Sequence, residues 1–209
     1  MAEVKLTKTE LRLQQLKLSR LRKYLPTLQL KKAMLQLEVN QAQIEIENLT
    51  AAFLSSQEKV EKYSALFTER SATDLFSAVK VDRVERIHEN IAGVEIPNFG
   101  SIVFERAAYS LFDTPLWFES AILGLKQLIT GREKLKIARE KKQALEKELR
   151  EVSIRVNLFE KILIPRSIAN IKKITIFLGD QQLAAVSQAK VAKKKILLRS
   201  AAKKKETLE

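Results

Sequence analysis

Apolar residues in the first part of the chain follow a heptad pattern. Between residues 11 and 67, the positions of this pattern recur at alternating spacings of four and three. We call them the seam, and of its residues only Gln14, Lys32 and Ser56 are polar. A period of 3.5 residues is typical of a helix that supercoils around another helix. The pattern therefore predicts a coiled-coil helix about eight heptads long, or roughly 85 Å at about 1.5 Å per residue. The seam positions are Leu11, Gln14, Leu18, Leu21, Leu25, Leu28, Lys32, Leu35, Val39, Ala42, Ile46, Leu49, Phe53, Ser56, Val60, Tyr63 and Phe67.

A second heptad stretch begins after Asp113. Asp113 or Thr114 can cap a helix, and Pro115 suits a first turn because its missing N–H is not needed there. Two long helices of this kind are expected to fold back into an antiparallel hairpin. The second seam contains Trp117, Ala121, Gly124, Leu128, Gly131, Leu135, Ala138, Lys142, Leu145, Leu149, Val152, Val156, Phe159 and Leu163.

The segment between the two helices has a different composition. β-favouring runs at 91–96 and 102–104 flank a stretch, 97–101, that contains Pro97 and Gly100. This pattern favours a short β-hairpin at or near the tip of the helical pair, with its turn at 97–101. The alternative is an irregular helical linker.

The sequence thus predicts a mostly α fold, a long antiparallel two-helix coiled coil with a short β-hairpin between the helices. We divide it into an N-terminal coiled-coil helix at 1–80, a hairpin or tip region at 81–113, and a C-terminal coiled-coil helix with a basic tail at 114–209. The content of 30% charged and only 6% aromatic residues favours such an elongated domain over one with a thick core.

Two prolines fall inside the predicted helices. Pro26 and Pro165 each remove a backbone hydrogen bond and clash with the preceding turn. Antiparallel pairing places them at nearly the same level. The apolar seam also moves one residue later there, from Leu163 to Ile164. We therefore predict a shared bend, or a local change of supercoil, at Pro26 and Pro165.

Two glycines lie on the second seam. Gly124 and Gly131 each cost about 1 kcal/mol relative to alanine in a helix interior. Antiparallel pairing places them near Val60, Tyr63 and Phe67. They can leave room for bulky side chains on the opposite helix, or simply make the helix flexible near its tip.

The net charge of +13 is concentrated at the two ends of the chain. Residues 1–32 carry +7, residues 186–209 carry +6, and the residues between them sum to zero. Past Leu178 the seam has little partner on the first helix, so the C-terminal residues are expected to overhang as a basic helix or frayed tail. Basic ends are usual in nucleic-acid-binding proteins. They can also be a solvated face, or one strongly positive end of a paired structure.

The sequence offers little for catalysis or for binding cofactors. There is no cysteine, and His88 is the only histidine, so cysteine-based metal sites and an H-E-x-x-H zinc helix are excluded. The five glycines are too scattered to form a phosphate-binding loop. We expect a non-catalytic protein without cofactor or metal. With no signal peptide or membrane-spanning stretch, we expect it to be cytosolic, or peripheral on the cytosolic side of a membrane, and not inserted into the membrane.

Residues 155–166 have the sequence R-V-N-L-F-E-K-I-L-I-P-R. This stretch resembles the R-V-N-x-x-E-K-x-x-I-P pattern in the C-terminal helix of the D subunit of V/A-type rotary ATPases. The segment 90–97 is similar to that family's N-x-x-G-V-x-(V/I)-P segment before the hairpin. The first helix, with Lys31 and Lys32, is similar to the family's L-x-K-K opening. The order of elements agrees along nearly the whole chain. Pro26 departs from the family pattern, as does the composition after Gly179. The matching residues of the first motif are Arg155, Val156, Asn157, Glu160, Lys161, Ile164 and Pro165.

The resemblance implies a rotor. The D subunit is the central-stalk axle of an ATP-driven or ATP-synthesising complex that translocates ions such as protons. The implied partners are the catalytic and nucleotide-binding subunits of the hexamer, the small F subunit of the stalk, and an adaptor on the membrane ring. The protein would then be peripheral on the cytoplasmic side of the membrane.

Two sets of residues are candidates for partner contacts. For a hexamer bore whose wall is expected to be partly acidic, we select basic residues near the two ends of the chain: Arg20, Arg22, Lys23, Lys172 and Lys173. For the F subunit we select apolar residues that the two seams do not use: Leu37, Ile44, Ala51, Ile137, Ala144 and Leu158. The alternative for this second set is a peripheral core that broadens the seam.

Two other classes of protein fit parts of the pattern. A prefoldin-like chaperone is also an antiparallel coiled coil with β-hairpins, but it should expose apolar residues at the helix ends, where this chain is rich in lysine. A basic helical hairpin that binds nucleic acid would need basic residues placed to reach base edges.

Overall fold

The computed structural model describes residues 4–62, 64–68, 72–105 and 114–206. Long helices dominate these residues, with a two-stranded antiparallel sheet between them, so the predicted fold class is confirmed. In chain order the elements are helix α1 (Lys8–Glu61), a 3-10 turn (Ser64–Thr68), helix α2 (Ala72–Ala78), strands β1 (Val81–Ile91) and β2 (Val94–Phe104), helix α3 (Phe118–Leu158), a π-helix (Phe159–Leu163) and helix α4 (Ile164–Glu206).

The chain forms two compact units, which are described separately. The central unit is Gln29–Ile154, and it contains most of α1 and α3 together with the β-hairpin. The terminal unit combines Met1–Leu28 with Arg155–Glu209, and it contains the start of α1, the π-helix and α4.

Helices α1 and α3 pair in antiparallel fashion within the central unit. As residue numbers rise along α1, those of the facing residues on α3 fall. Lys31 Nζ donates a hydrogen bond to Glu148 Oε1 over 2.8 Å, and Lys142 Nζ donates one to Gln43 Oε1 over 2.8 Å. In order along α1, the facing pairs are Lys31 with Glu148, Gln43 with Lys142, Phe53 with Gly131, and Val60 with Gly124.

The heptad seams form the interior of this pairing. Within the central unit, every seam position from Lys32 to Val60 on α1 and from Ala121 to Val152 on α3 is buried or half-buried, as the heptad pattern predicted. Leu35 and Leu145 are fully buried, and Val39, Ala42 and Ala138 nearly so. The hydrophobic effect on this narrow stripe therefore holds the two helices together.

The first helix is shorter than the sequence predicted. It ends at Glu61 rather than near residue 80, Phe67 lies in the 3-10 turn, and α3 begins at Phe118. Tyr63 and Asp113 lie outside the described residues. The chain leaves the helix here to build a small separate core, which the heptad count could not reveal. That core contains Leu75, Ala78 and Val79 beside Phe118, Ala121 and Ile122, with Phe67 and Trp117 packed against it.

The β-hairpin is present, but its turn is not where the sequence predicted. Ile91 pairs with Val94, and the turn is Ala92–Gly93, with φ values of 52° and 80°. The Gly93 N–H donates to Asn90 Oδ1 over 2.9 Å. Two successive positive φ values are typical of a type I′ turn, whose twist matches that of the strands. Pro97 and Gly100 lie within β2, so the prediction of a turn at 97–101 was wrong.

The hairpin extends back along α3 instead of staying at the helix tips. At its base, Lys80 and Glu105 form an ion pair of 2.8 Å. The hydrogen bond and the charge of Glu105 raise the pKa of Lys80 above its usual value. Successive contacts along α3 are Lys126 Nζ over the Phe104 ring at 5.2 Å, Lys134 Nζ over the Phe99 ring at 5.2 Å, and Arg86 Nη1 with Glu140 Oε2 at 2.8 Å.

The terminal unit contains both prolines of the predicted bend. Helix α1 continues through Pro26, while a π-helix comes directly before the turn that holds Pro165. The shared bend stays a prediction. Residues 180–200 of α4 are all exposed, as expected for an overhanging helix.

Candidate partner-binding surfaces

Helix α1 carries a row of exposed apolar side chains on the face turned away from its seam. Leu30, Met34, Leu37 and Ile44 each leave about half or more of their surface exposed, and Ala51 continues the row. We call these five residues the outer stripe. Their spacings of four, three and seven repeat the heptad period, so they share one helix face. The stripe therefore has the pattern expected for packing against another helix.

The sequence had identified only part of this stripe. Leu37, Ile44 and Ala51 were among the candidates for contact with the F subunit, whereas Leu30 and Met34 were missed. Leu30 lies seven residues before Leu37, so extending the step of seven back by one would have found it. Met34 lies four residues after Leu30 and three before Leu37, so a search in sevens alone does not find it.

The candidates on α3 do not form a matching exposed row. Ile137 is only 1% exposed, so its assignment to an exposed stripe was wrong. The hairpin accounts for this burial, because Pro97 and Phe99 line the same cleft of about 470 Å³ as Ile137. Ala144 is half-buried, and Leu158, in the terminal unit, is partly exposed. For Ile137 the alternative of a broadened core describes the structure better.

The basic candidates are accessible. Arg20, Arg22 and Lys23 on α1 are exposed, and so are Lys172 and Lys173 on α4. All five belong to the terminal unit.

The overhanging part of α4 combines basic and apolar exposed residues. Lys193, Lys194 and Lys195 are followed directly by Ile196, Leu197 and Leu198, which are each more than half exposed. A helix with so much exposed apolar surface and positive charge is suited to a partner surface that is apolar and partly acidic.

The described residues show no arrangement typical of a metal centre. They contain no cluster of three or more metal-ligating His, Cys, Asp or Glu side chains. His88 is exposed on β1. Across the described ranges, no helix is both long and apolar enough to cross a membrane.

The motif that resembles the rotary-ATPase pattern spans the junction of three elements. Arg155, Val156 and Asn157 end α3, Glu160 and Lys161 lie in the π-helix, and Ile164 and Pro165 begin α4. Val156 alone among these seven residues is buried. The motif therefore coincides with the place where the helical geometry changes.

Comparison with known proteins identifies the family. The family model for the ATP synthase D subunit matches residues 10–194. The V-type ATP synthase D subunit of Chlamydia abortus is 44% identical over 196 residues, which cover 93% of this chain and 94% of the relative. The protein of the same name from Chlamydia pneumoniae is 42% identical over 200 residues, covering 95% and 96%. The chain therefore belongs to the family of the V-type ATP synthase D subunit.

Proposed function

We propose that this protein is the central rotor shaft of a V/A-type rotary ATPase. It transmits torque between the catalytic nucleotide-binding hexamer and the ion-translocating ring in the membrane. The protein performs no chemistry itself. It lies on the cytoplasmic side, peripheral to the membrane, as part of the complex.

The antiparallel pairing of α1 with α3 is the observation that carries this proposal. A shaft must resist twisting and sliding, and the buried seam of the central unit supplies that resistance. Val60 and Phe53 enter the spaces left by Gly124 and Gly131, so that the two helices interlock at two levels. The Lys31–Glu148 pair adds a third contact between the same helices.

A pair of helices can also make a different contact with each of three catalytic sites. Two helices have no three-fold symmetry, so at any angle they present a different face to each site of the hexamer. The three sites can therefore be held in different states by one shaft. The catalytic and nucleotide-binding subunits are the partners in this contact.

The basic residues of the terminal unit are our candidates for contact with the bore of the hexamer. Arg20, Arg22, Lys23, Lys172 and Lys173 are exposed and can make weak contacts that change with angle. Replacing all five with glutamine should weaken assembly with the hexamer and reduce its dependence on salt. Assembly with an unchanged salt dependence would remove these residues from the proposal.

The outer stripe is our candidate site for the small F subunit of the stalk. It lies in the central unit. Ile44→Asp places a charge in the middle of the stripe and should weaken capture of the F subunit. Gln36→Asp is the matched control, because Gln36 is exposed but lies off the stripe. Equal capture by both variants would contradict this site.

The shaft itself is tested by assembly. The purified chain should join a V-type nucleotide-binding hexamer together with the F subunit. When this complex is bound to its ion-translocating ring in a membrane, its ATP hydrolysis should drive ion transport. A complex assembled with a variant whose seam is weakened, such as Leu145→Ala, should still hydrolyse ATP but transport fewer ions for each ATP. An unchanged ratio would contradict the proposed transmission of torque.

A further inference from the structure

The π-helix at Phe159–Leu163 changes the phase of the helix that follows it. The Ile164 N–H bonds to the Phe159 carbonyl, five residues back, instead of four as in an α-helix. Such a turn holds one extra residue, so every later side chain is displaced by one position around the helix.

The proline explains why the extra residue lies here. In an α-helix the ring of Pro165 would clash with the carbonyl group of Lys161, and Pro165 has no N–H to offer it. Lys161 lies inside the π-helix, where the turn is wider.

The burial pattern shows the consequence of the extra residue. An uninterrupted seam continued from Val156 in steps of three and four would bring Arg166 and Lys173 inward. The structure instead buries Ser167, 3% exposed, and Ile174, fully buried, while Arg166 and Lys173 are exposed. Without the displacement, two cations would occupy positions where burial is costly.

We infer that the π-helix is a one-residue insertion that sets which face of α4 is buried, and that it thereby turns Arg166 and Lys173 outward as a basic face for an acidic protein surface. The first part concerns the free chain alone. The second part rests on the proposed function, since it identifies that surface with the bore of the hexamer.

Thiol labelling tests the first part directly, because the chain has no cysteine of its own. In the full-length protein, Lys173→Cys should react freely and Ile174→Cys should react roughly tenfold or more slowly, as expected for a buried site that opens only by local unfolding. Equal reactivity, or a protected Lys173→Cys, would overturn the inference.

Two single-residue deletions then test the role of the π-helix. Deleting Glu160, exposed in the π-helix, in a chain that also carries Pro165→Ala removes both the extra residue and the proline clash, so the helix can become regular and Ile174→Cys should stay protected. Deleting Ala169, exposed in the regular part of α4, shifts the phase, and Ile174→Cys should react as fast as Lys173→Cys. The inference fails if deletion of Glu160 prevents folding or exposes Ile174→Cys, or if deletion of Ala169 leaves it protected.

The second part has its own readout. Charge reversal by Arg166→Glu and Lys173→Glu should leave the thiol pattern intact and weaken assembly with a V-type nucleotide-binding hexamer. Unchanged assembly would show that Arg166 and Lys173 do not contact the hexamer. The role of the π-helix in setting which face of α4 is buried would then still be decided by the thiol labelling.

Discussion

Gly131 on α3 lies opposite Phe53 on α1, and a Cβ atom at residue 131 would come 3.2 Å from Phe53 Cδ2. One heptad away, a Cβ at Gly124 would come 2.9 Å from Val60 Cγ2. Both glycines therefore have a packing role, and a gain in helix propensity from replacing them is opposed by contact with α1. Of the two explanations open at the level of sequence, the structure supports room for side chains opposite.

Filling the space at Gly131 should destabilise the central unit. Gly131→Leu forces a side chain into the position of Phe53, at a cost of about 1–3 kcal/mol in the free energy of unfolding. Urea denaturation measures this change. Gly179→Ala is the control, because beyond its own stretch of helix no atom lies within 4 Å of the added Cβ, and it should stabilise by up to about 1 kcal/mol. Equal changes in both variants would show that packing at Gly131 is unimportant.

Shortening a buried seam residue should cost more than shortening a residue of the outer stripe. Leu145 is fully buried, so Leu145→Ala should lower the free energy of unfolding by about 2–5 kcal/mol. Leu37 is half-exposed, and Leu37→Ala should change it by no more than about 0.5 kcal/mol in the free chain. A large loss at Leu37 would mean that the outer stripe packs within the chain and is not a free surface.

The hairpin turn should tolerate asparagine better than its own alanine. Ala92 adopts a positive φ of 52°, which costs roughly 1–2 kcal/mol for a residue with a Cβ, whereas asparagine visits this region more readily. Ala92→Asn should therefore slow hydrogen exchange of the amides in β1 and β2. Gly93→Ala, at a φ of 80°, should speed it. Faster exchange in Ala92→Asn would contradict the assignment of a type I′ turn.

The ion pair between Lys31 and Glu148 should contribute modestly to the pairing of α1 with α3. Both side chains keep about 30% of their surface in solvent, at 31% and 26%, which limits the interaction to about 1 kcal/mol. A double-mutant cycle with Lys31→Ala and Glu148→Ala measures the coupling. The exchanged variant Lys31→Glu with Glu148→Lys should recover most of the free energy of unfolding that the single alanine variants lose. No recovery would imply that other charges near these positions contribute more to stability than the pair does.

The long-range pairing was predictable because it depends on repetition. Each seam repeats its pattern many times, so local exceptions such as Lys32 and Lys142 do not obscure it. Elements set by a few residues were harder to predict. The Ala92–Gly93 turn lacks the usual Asn-Gly signal, and the small core around Leu75 and Phe118 depends on contacts that no period reveals.

The exposure of a candidate residue was predictable only where it depends on the heptad period of a single helix. The exposure of Leu37 and Ile44 follows from the period of α1 alone. The burial of Ile137 depends on where the hairpin lies, and that position is set by contacts such as Phe99 with Lys134. The phase shift at Pro165 was visible in the sequence, but the π-helix that produces it was not.

Single-molecule rotation tests the proposed function most directly. His88 is exposed on β1, and the chain has no cysteine, so His88→Cys gives one attachment point for an optical probe. With the nucleotide-binding hexamer fixed to a surface, addition of ATP should make the probe rotate continuously in one direction. A probe that stays at a fixed angle while the same complexes hydrolyse ATP would contradict the account of this protein as a rotor shaft.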